Sequence, residues 1–205
     1  RADRAGNVRV SAASRLIGTF LRAYSRDKSA SVEEDPLKIV DELVPALERE
    51  VAHNELATAW RLVVMVHGVA GRYSKASEAA QRSLEHARIA GNERLAAKVA
   101  GTLGSIALYG PTPVMDAIGQ CEKAIEDGLS DRQVEGSLLC MLASLRAMNG
   151  ELENARLLYQ RGREMLRDLG QGVQAAASGI HLASVELHGG DLARAEREVR
   201  LDFEF

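Results

Sequence analysis

Histidine, cysteine and glutamate are the residues of this 205-residue chain whose chemistry could be catalytic or metal-binding. His181 and His188 stand seven apart. On a helix that spacing puts them on one face but about 10 Å apart along the axis. One metal ion needs donors at about 2 Å, so the pair cannot share it unaided. His67 and His86 fall in separate periodic segments, and all five histidines read as packing or solvent-facing side chains. Cys121 and Cys140 have apolar neighbours and no cation directly beside them, which suits small hydrophobes better than redox thiols. Glu122 and Glu126 lie one turn apart. That is the spacing of an acid–base pair, and equally of two solvated charges on a helix face. No phosphate-binding Gly loop ends in Lys-Ser/Thr, and no G-x-S-x-G elbow is present. Gly170-Gln171-Gly172 reads as a helix stop and start, and Gly101, Gly104 and Ser105 as small positions that admit a neighbouring helix. The expectation is a chain that is not an enzyme, with no catalytic, cofactor-binding or metal-binding residues.

The elements that carry these residues are repetitive. Gly71–Gly91, GRYSKASEAAQRSLEHARIAG, returns as Gly150–Gly170, GELENARLLYQRGREMLRDLG, and its opening returns as GDLARAEREV from Gly190. Each copy places an Ala five residues after its Gly: Ala76, Ala155 and Ala195. With Ala117 of the intervening segment, the small residues are spaced 41, 38 and 40 apart. A period in this range marks stacked helix pairs, none of which can bury its apolar face alone. Hydrophobic residues make up 46% of the chain but aromatics only 4%, so the core must be built from Ala, Leu, Val and Ile. That composition favours closely packed helices over sheet.

In chain order, helices are expected at about 8–25 and 36–52, the second opened by Asp35-Pro36 and kinked or ended early by Pro45. Residues 26–34 read as a loop. Repeats follow at about 54–91, 92–128, 131–170 and 172–205, the last incomplete. Asn54, Ser74, Asn92, Thr112 and Asp131 are the expected N-caps, and 172–187 is expected to be one helix. The organisation is thus residues 1–53 packing on the first repeat, and 54–205 as the repeats. The chain starts with Arg and is expected to be a piece of something longer. Leu201, Phe203 and Phe205 would leave an apolar end open to end-to-end self-association.

The pattern resembles the tetratricopeptide repeat. The first copy has Trp60, Gly71, Tyr73, Ala76 and Ser83. The third has Leu142, Ala143, Gly150, Leu152, Ala155 and Gly162, and the fourth Leu182, Ala183, Gly190, Leu192 and Ala195. The second fits with two residues inserted at Pro111-Thr112-Pro113. Val64 and Leu103 depart from the small residue usual in the first helix, and the period exceeds the family's 34. The resemblance implies an all-α solenoid of antiparallel helix pairs in a right-handed superhelix. More narrowly, AWRLVVMVHGVAGRYSKASEAAQRSLEHARIAG, LYGPTPVMDAIGQCE and AMNGELENARLLYQRGREMLRDLG are similar to the C-terminal repeats of large bacterial signalling proteins. Those proteins join a class III adenylate/guanylate cyclase domain to a STAND-type or AAA-like ATPase domain, and their repeats sense signals or dock partners.

By register with that family, the first helix of each pair lines a concave groove. The partner-binding positions are then Arg61, Met65, Ala100, Gly104, Cys140, Ser144, Ala147, Ile180 and Ser184. They form a narrow, weakly apolar trough, suited to a helix or apolar segment of a protein partner, or to other domains of a parent chain. The expected function is a non-catalytic interaction and regulatory scaffold. The alternatives are the effector-sensing repeats of a MalT- or SARP-like transcriptional regulator, or a sensor of a small apolar ligand. Net charge is −3 without a basic block, which argues against nucleic acid and anionic membranes. No apolar run reaches the roughly 18 residues of a membrane span. The polar start and two lone thiols fit a reducing, cytoplasmic setting.

Overall fold

Asp35 opens the first fully described helix: its carboxylate accepts from the Leu37 amide at 3.0 Å, and Pro36 takes the first helical position. The computed structural model describes residues 9, 11–13, 15, 16, 18, 19, 35–127 and 131–203, the side chains of 201–203 excepted. From Asp35 onward they form α1 (Pro36–Arg49), α2 (His53–Val69), α3 (Tyr73–Ile89), α4 (Glu93–Tyr109) and α5 (Val114–Glu126). The series continues with α6 (Arg132–Met148), α7 (Leu152–Asp168), α8 (Gly172–Ala177), α9 (Gly179–His188) and α10 (Leu192–Phe203). No strand occurs among the described residues. The fold is an all-α helical repeat. Of the helix expected at about 8–25, the described positions are helical. The loop at 26–34, the stop at Gly128 and the side chains of Leu201, Phe203 and Phe205 lie outside the described residues.

Helix ends follow the glycines. Gly71, Gly91, Gly150, Gly170 and Gly190 all have φ between 64° and 85°. At Gly150, the amide bonds Ala147 O at 2.9 Å and the next amide, Glu151, bonds Arg146 O at 2.9 Å. The same pair of bonds recurs at the other four, satisfying carbonyls that the helix end would orphan. α1 ends by the same two bonds, Val51 N to Glu48 O and Ala52 N to Leu47 O, but with Val51 at φ 51°. A β-branched residue is strained in that region. Val51 is also 64% exposed, so little packing depends on its side chain. Val51→Gly is therefore expected to stabilise the chain by about 1 kcal/mol. The check is the urea midpoint, which should rise; a fall would mean that the side chain contributes more than the backbone strain removes.

Several expected caps move. Asn54 and Ser74 lie inside the first turns of α2 and α3, whose N-caps are Ala52 and Arg72. Pro113, not Thr112, is the N-cap of α5. Asn92 and Asp131 do cap, accepting from Leu95 and from Gln133 and Val134. α1 runs through Pro45 to Arg49 rather than ending early. The helix expected at 172–187 breaks at Ser178, whose hydroxyl donates to Ala175 O at 2.8 Å. The His181 amide then bonds Ser178 O, three residues back instead of four.

By its internal contacts the chain divides into two compact units, residues 1–99 and 100–205, with the division falling within α4. In the first unit α1 packs on α2, and α2 on α3. Ala12, Leu16 and Thr19, spaced as one helix face, are buried, as are Ile39, Val40 and Leu47 of α1. Arg82 lies over the Trp60 ring at 4.5 Å, and the Asn92 amide donates to the Asn54 side-chain oxygen at 2.8 Å.

In the second unit α6 packs on α5, α7 and α9, and α9 on α7 and α10. One core cluster joins Ala107, Ala117, Ile118, Cys121, Leu138, Leu142 and Leu145. Another joins Cys140, Ala143, Ala147, Ala155, Tyr159, Leu166, Ala175, Leu182 and Val185. The repeat-defining alanines Ala76, Ala117, Ala155 and Ala195 are all buried.

Both units contain one helix crossing solved in two ways. Ser83 of α3 and Gly162 of α7 are 79 residues apart, as are Ala57 of α2 and Gly136 of α6. The buried Ser83 hydroxyl donates to Ala57 O at 2.7 Å. In the second unit a Cβ built on Gly162 would stand 2.6 Å from Gly136 O and 2.8 Å from the Cys140 sulfur. Here backbone meets backbone with no side chain between.

Candidate functional site

The groove positions divide sharply by burial. Arg61, Met65 and Ser184 are half-buried, and Ile180 is exposed. Ala100 and Gly104 are buried; a Cβ on Gly104 would meet the Leu138 side chain. Cys140, Ser144 and Ala147 are 0%, 2% and 3% exposed, so they present no surface to a guest. α7 and α9 cover them. The Ser144 hydroxyl and His181 Nδ1 share a 3.0 Å hydrogen bond, and Cys140 and Ala147 join Leu182 and Val185 in one core. At α6 the Ser144 side of the expected trough is where α9 packs, and the Cys140 side is taken up by the crossing with α7.

The open face lies on α8 and α9. Val173, Ala177, Ile180 and Leu187 are exposed there, with Ser184 half-buried between them. Its neighbour in the fold is a charged cleft of about 450 Å³ beside α7, lined by Arg156, Arg163, Arg167, Arg194, Glu153, Glu198 and others. At its edge Glu186 is fully buried and clasped by Arg156 through Nε at 3.1 Å and Nη2 at 2.7 Å. Arg194 reaches the same carboxylate at 3.2 Å. Arg163 meets Glu198 at 3.7 Å and stands 5.8 Å from the Tyr159 ring centroid. With Glu164 also in the lining, four arginines meet four glutamates, Glu186 included, and Arg156, Arg163 and Arg194 are ion-paired, so the cleft lacks the surplus positive charge that would hold an anion.

The remaining candidates are tied into packing. Glu122 does not pair with Glu126; it bonds Arg146, which also holds Glu151 at 2.7 Å and so ties α5, α6 and the start of α7. Burial pushes both thiols up, to about 11 at Cys121 and Cys140, away from nucleophilic or redox behaviour at neutral pH. His188 Nδ1 lies 2.7 Å from Ser184 O within its own helix. The contact that sequence reasoning missed is His53 with His86, Nδ1 to Nδ1 at 3.0 Å between α2 and α3. Residues 33 apart give no sequence signal for such a pair without the crossing of the two helices. Among the described residues no group of three or more His, Cys, Asp or Glu is placed to hold a metal. No described helix is long and apolar enough to cross a membrane.

Burial lowers the pKa of His181 to about 4, and lowers His67 and His86 as well. The sign follows from linkage. Between about pH 6.5 and about pH 4 the unfolded imidazole is protonated while folded His181 is not. Stability is therefore expected to be complete above about pH 6.5 and to fall as pH drops towards 4. Urea unfolding at a series of pH values checks this, with His181→Gln flattening the profile. A wild-type curve flat across that window would contradict it.

The sequence matches no protein-family model and no curated protein.

Proposed function

We propose that this chain is a non-catalytic interaction and regulatory scaffold, serving as the sensor or docking region of a larger bacterial signalling protein of the cyclase/ATPase type. The observation that carries the scaffold reading is the uncharged aliphatic face of α8–α9, set on a helical repeat whose two cysteines are buried and whose Glu122 and Glu186 are ion-paired. The parent assignment rests on the resemblance of the Gly71–Gly91, LYGPTPV and Gly150–Gly170 segments. A helix or apolar protein segment is the guest that fits the second unit, where Ile180 and Ser184 of the groove set retain exposure; in the first unit Arg61 and Met65 are the positions that do.

The test is gene context joined to activity. The reading frame on both sides of residues 1 and 205 should encode a cyclase or nucleotide-binding ATPase. Deleting this region should alter the regulation of that activity while leaving its catalytic residues intact. A DNA-binding domain in the same frame would instead make the repeats the sensor of a transcriptional regulator. Turnover of a nucleotide by the purified chain alone would overturn the non-catalytic reading.

A further inference from the structure

His53 and His86 meet where the first turn of α2 lies against the last turn of α3. Both rings are half-buried, with centroids 5.2 Å apart and planes tilted by 32°. Their Nδ1 atoms stand 3.0 Å apart, which is hydrogen-bond distance. Two ring nitrogens hold that distance when one carries a hydrogen and the other offers its lone pair. With both rings neutral, the Nδ1–H of one donates to Nδ1 of the other. With one ring protonated the bond persists and is charge-assisted. With both protonated each Nδ1 carries a hydrogen, no acceptor is left, and two cations face each other. The contact thus tolerates one added proton and breaks on the second.

The surroundings of the pair do not offset that repulsion. Burial, the largest influence, disfavours the charged form of His86, and His53 of α2 and Arg82 of α3 do the same, while Glu85 of α3 and Glu48 of α1 favour it. The net effect lowers the pKa of His86. The neighbouring contact, from the Asn92 side-chain amide to the Asn54 side-chain oxygen at 2.8 Å, ties the same helix ends together and does not titrate. Among the described residues no third His, Cys, Asp or Glu is placed to make the pair a metal site.

We propose that the His53–His86 pair is an acid-sensitive latch, which ties the start of α2 to the end of α3 at neutral pH and releases them when the second imidazole takes up a proton. The sign follows from proton counting. Both unfolded imidazoles accept protons as pH falls through about 6.5, while the folded pair resists the second. The latch therefore contributes in full above about pH 6.5 and is lost as pH falls below it. It belongs to the first unit, whereas the acid response of His181 belongs to the second. The proposal does not depend on which parent protein carries the repeats.

The test is an NMR titration of the intact chain. It follows the ring Hε1 signals of both histidines together with exchange at two amides, Leu56, bonded to Ala52 O, and Ala90, bonded to His86 O. The two rings should titrate in two separated steps, and the protection factors of both amides should fall about tenfold between about pH 7 and about pH 5. His86→Gln keeps a hydrogen-bonding side chain that cannot take up the proton, so His53 should then titrate in one step and the protection should hold. Asn54→Ala removes the neighbouring bond and should leave the two steps in place. Independent single-step titrations of the two rings in the wild-type chain would overturn the proposal. So would wild-type protection that stays constant across that range, or that falls equally in His86→Gln. The wild-type titration decides the matter even if a variant misfolds.

Discussion

Arg156→Ala should lower the unfolding free energy of the unit formed by residues 100–205 by about 3 kcal/mol. Glu186 is wholly buried, and Arg156 grips both of its oxygens, at 3.1 Å and 2.7 Å. Removing the guanidinium leaves a charge in a place that water does not reach. Arg194 stays at 3.2 Å, which holds the expected loss at the low end of what breaking a buried pair costs. The physical claim is specifically about an orphaned charge, and a second variant isolates it. Arg156→Met together with Glu186→Leu removes both charges and keeps apolar volume, so it should cost less than Arg156→Ala alone. Arg194, partly exposed, can then turn to solvent. Chemical denaturation of the three proteins reads the order directly. A double variant less stable than the single would mean that the ion pair contributes net stability beyond its own desolvation.

Gly162→Ala should cost about 2–3 kcal/mol. The added methyl would stand 2.6 Å from Gly136 O, 2.8 Å from the Cys140 sulfur and 3.0 Å from the Leu139 Cβ. A flexible side-chain tip could yield, but a helical carbonyl moves only with its helix, so α6 and α7 must separate along the crossing. Gly119→Ala is the control. Gly119 lies inside α5 with nothing within 4 Å of a Cβ, so alanine there should stabilise by about 1 kcal/mol through its helix propensity. Thermal unfolding of the two variants should thus move in opposite directions. Equal and small shifts would show that the crossing relaxes easily.

Much of this architecture was legible because it is written in single residues with local consequences. The five glycines at helix ends adopt the left-handed torsions that their spacing implied, and Asp35, Asn92 and Asp131 cap as their side chains allow. Asn54 and Ser74 misled because the preceding turn, not the side chain, decides where α2 and α3 begin. Ala52 and Arg72 hold φ near −86° and ψ of 67° and 63°, a conformation set as the chain leaves Val51 and Gly71. Each is then already the N-cap, whatever its side chain.

The burial of Cys140, Ser144 and Ala147 was not legible for a different reason. Periodicity places Cys140, Ser144 and Ala147 on one face of α6, but which neighbour that face meets depends on how the pairs stack. Register carried over from a shorter repeat cannot settle that for helices of 17 residues. Ser144 looked like a small groove-lining residue, yet its hydroxyl is engaged by His181, a partner 37 residues away. Ile180 and Ser184 kept exposure because no later pair covers them within the described residues.

The two cysteines make the second unit its own clock. Cys121 lies in one core cluster and Cys140 in the other, both without exposure and both with thiols shifted to about 11. An alkylating reagent can therefore reach either sulfur only while its own cluster is open, and the first unit, which has no cysteine, stays silent. The native chain thus carries two unengineered chemical probes, and their separate labelling rates distinguish a second unit that opens as a whole from one that opens helix pair by helix pair.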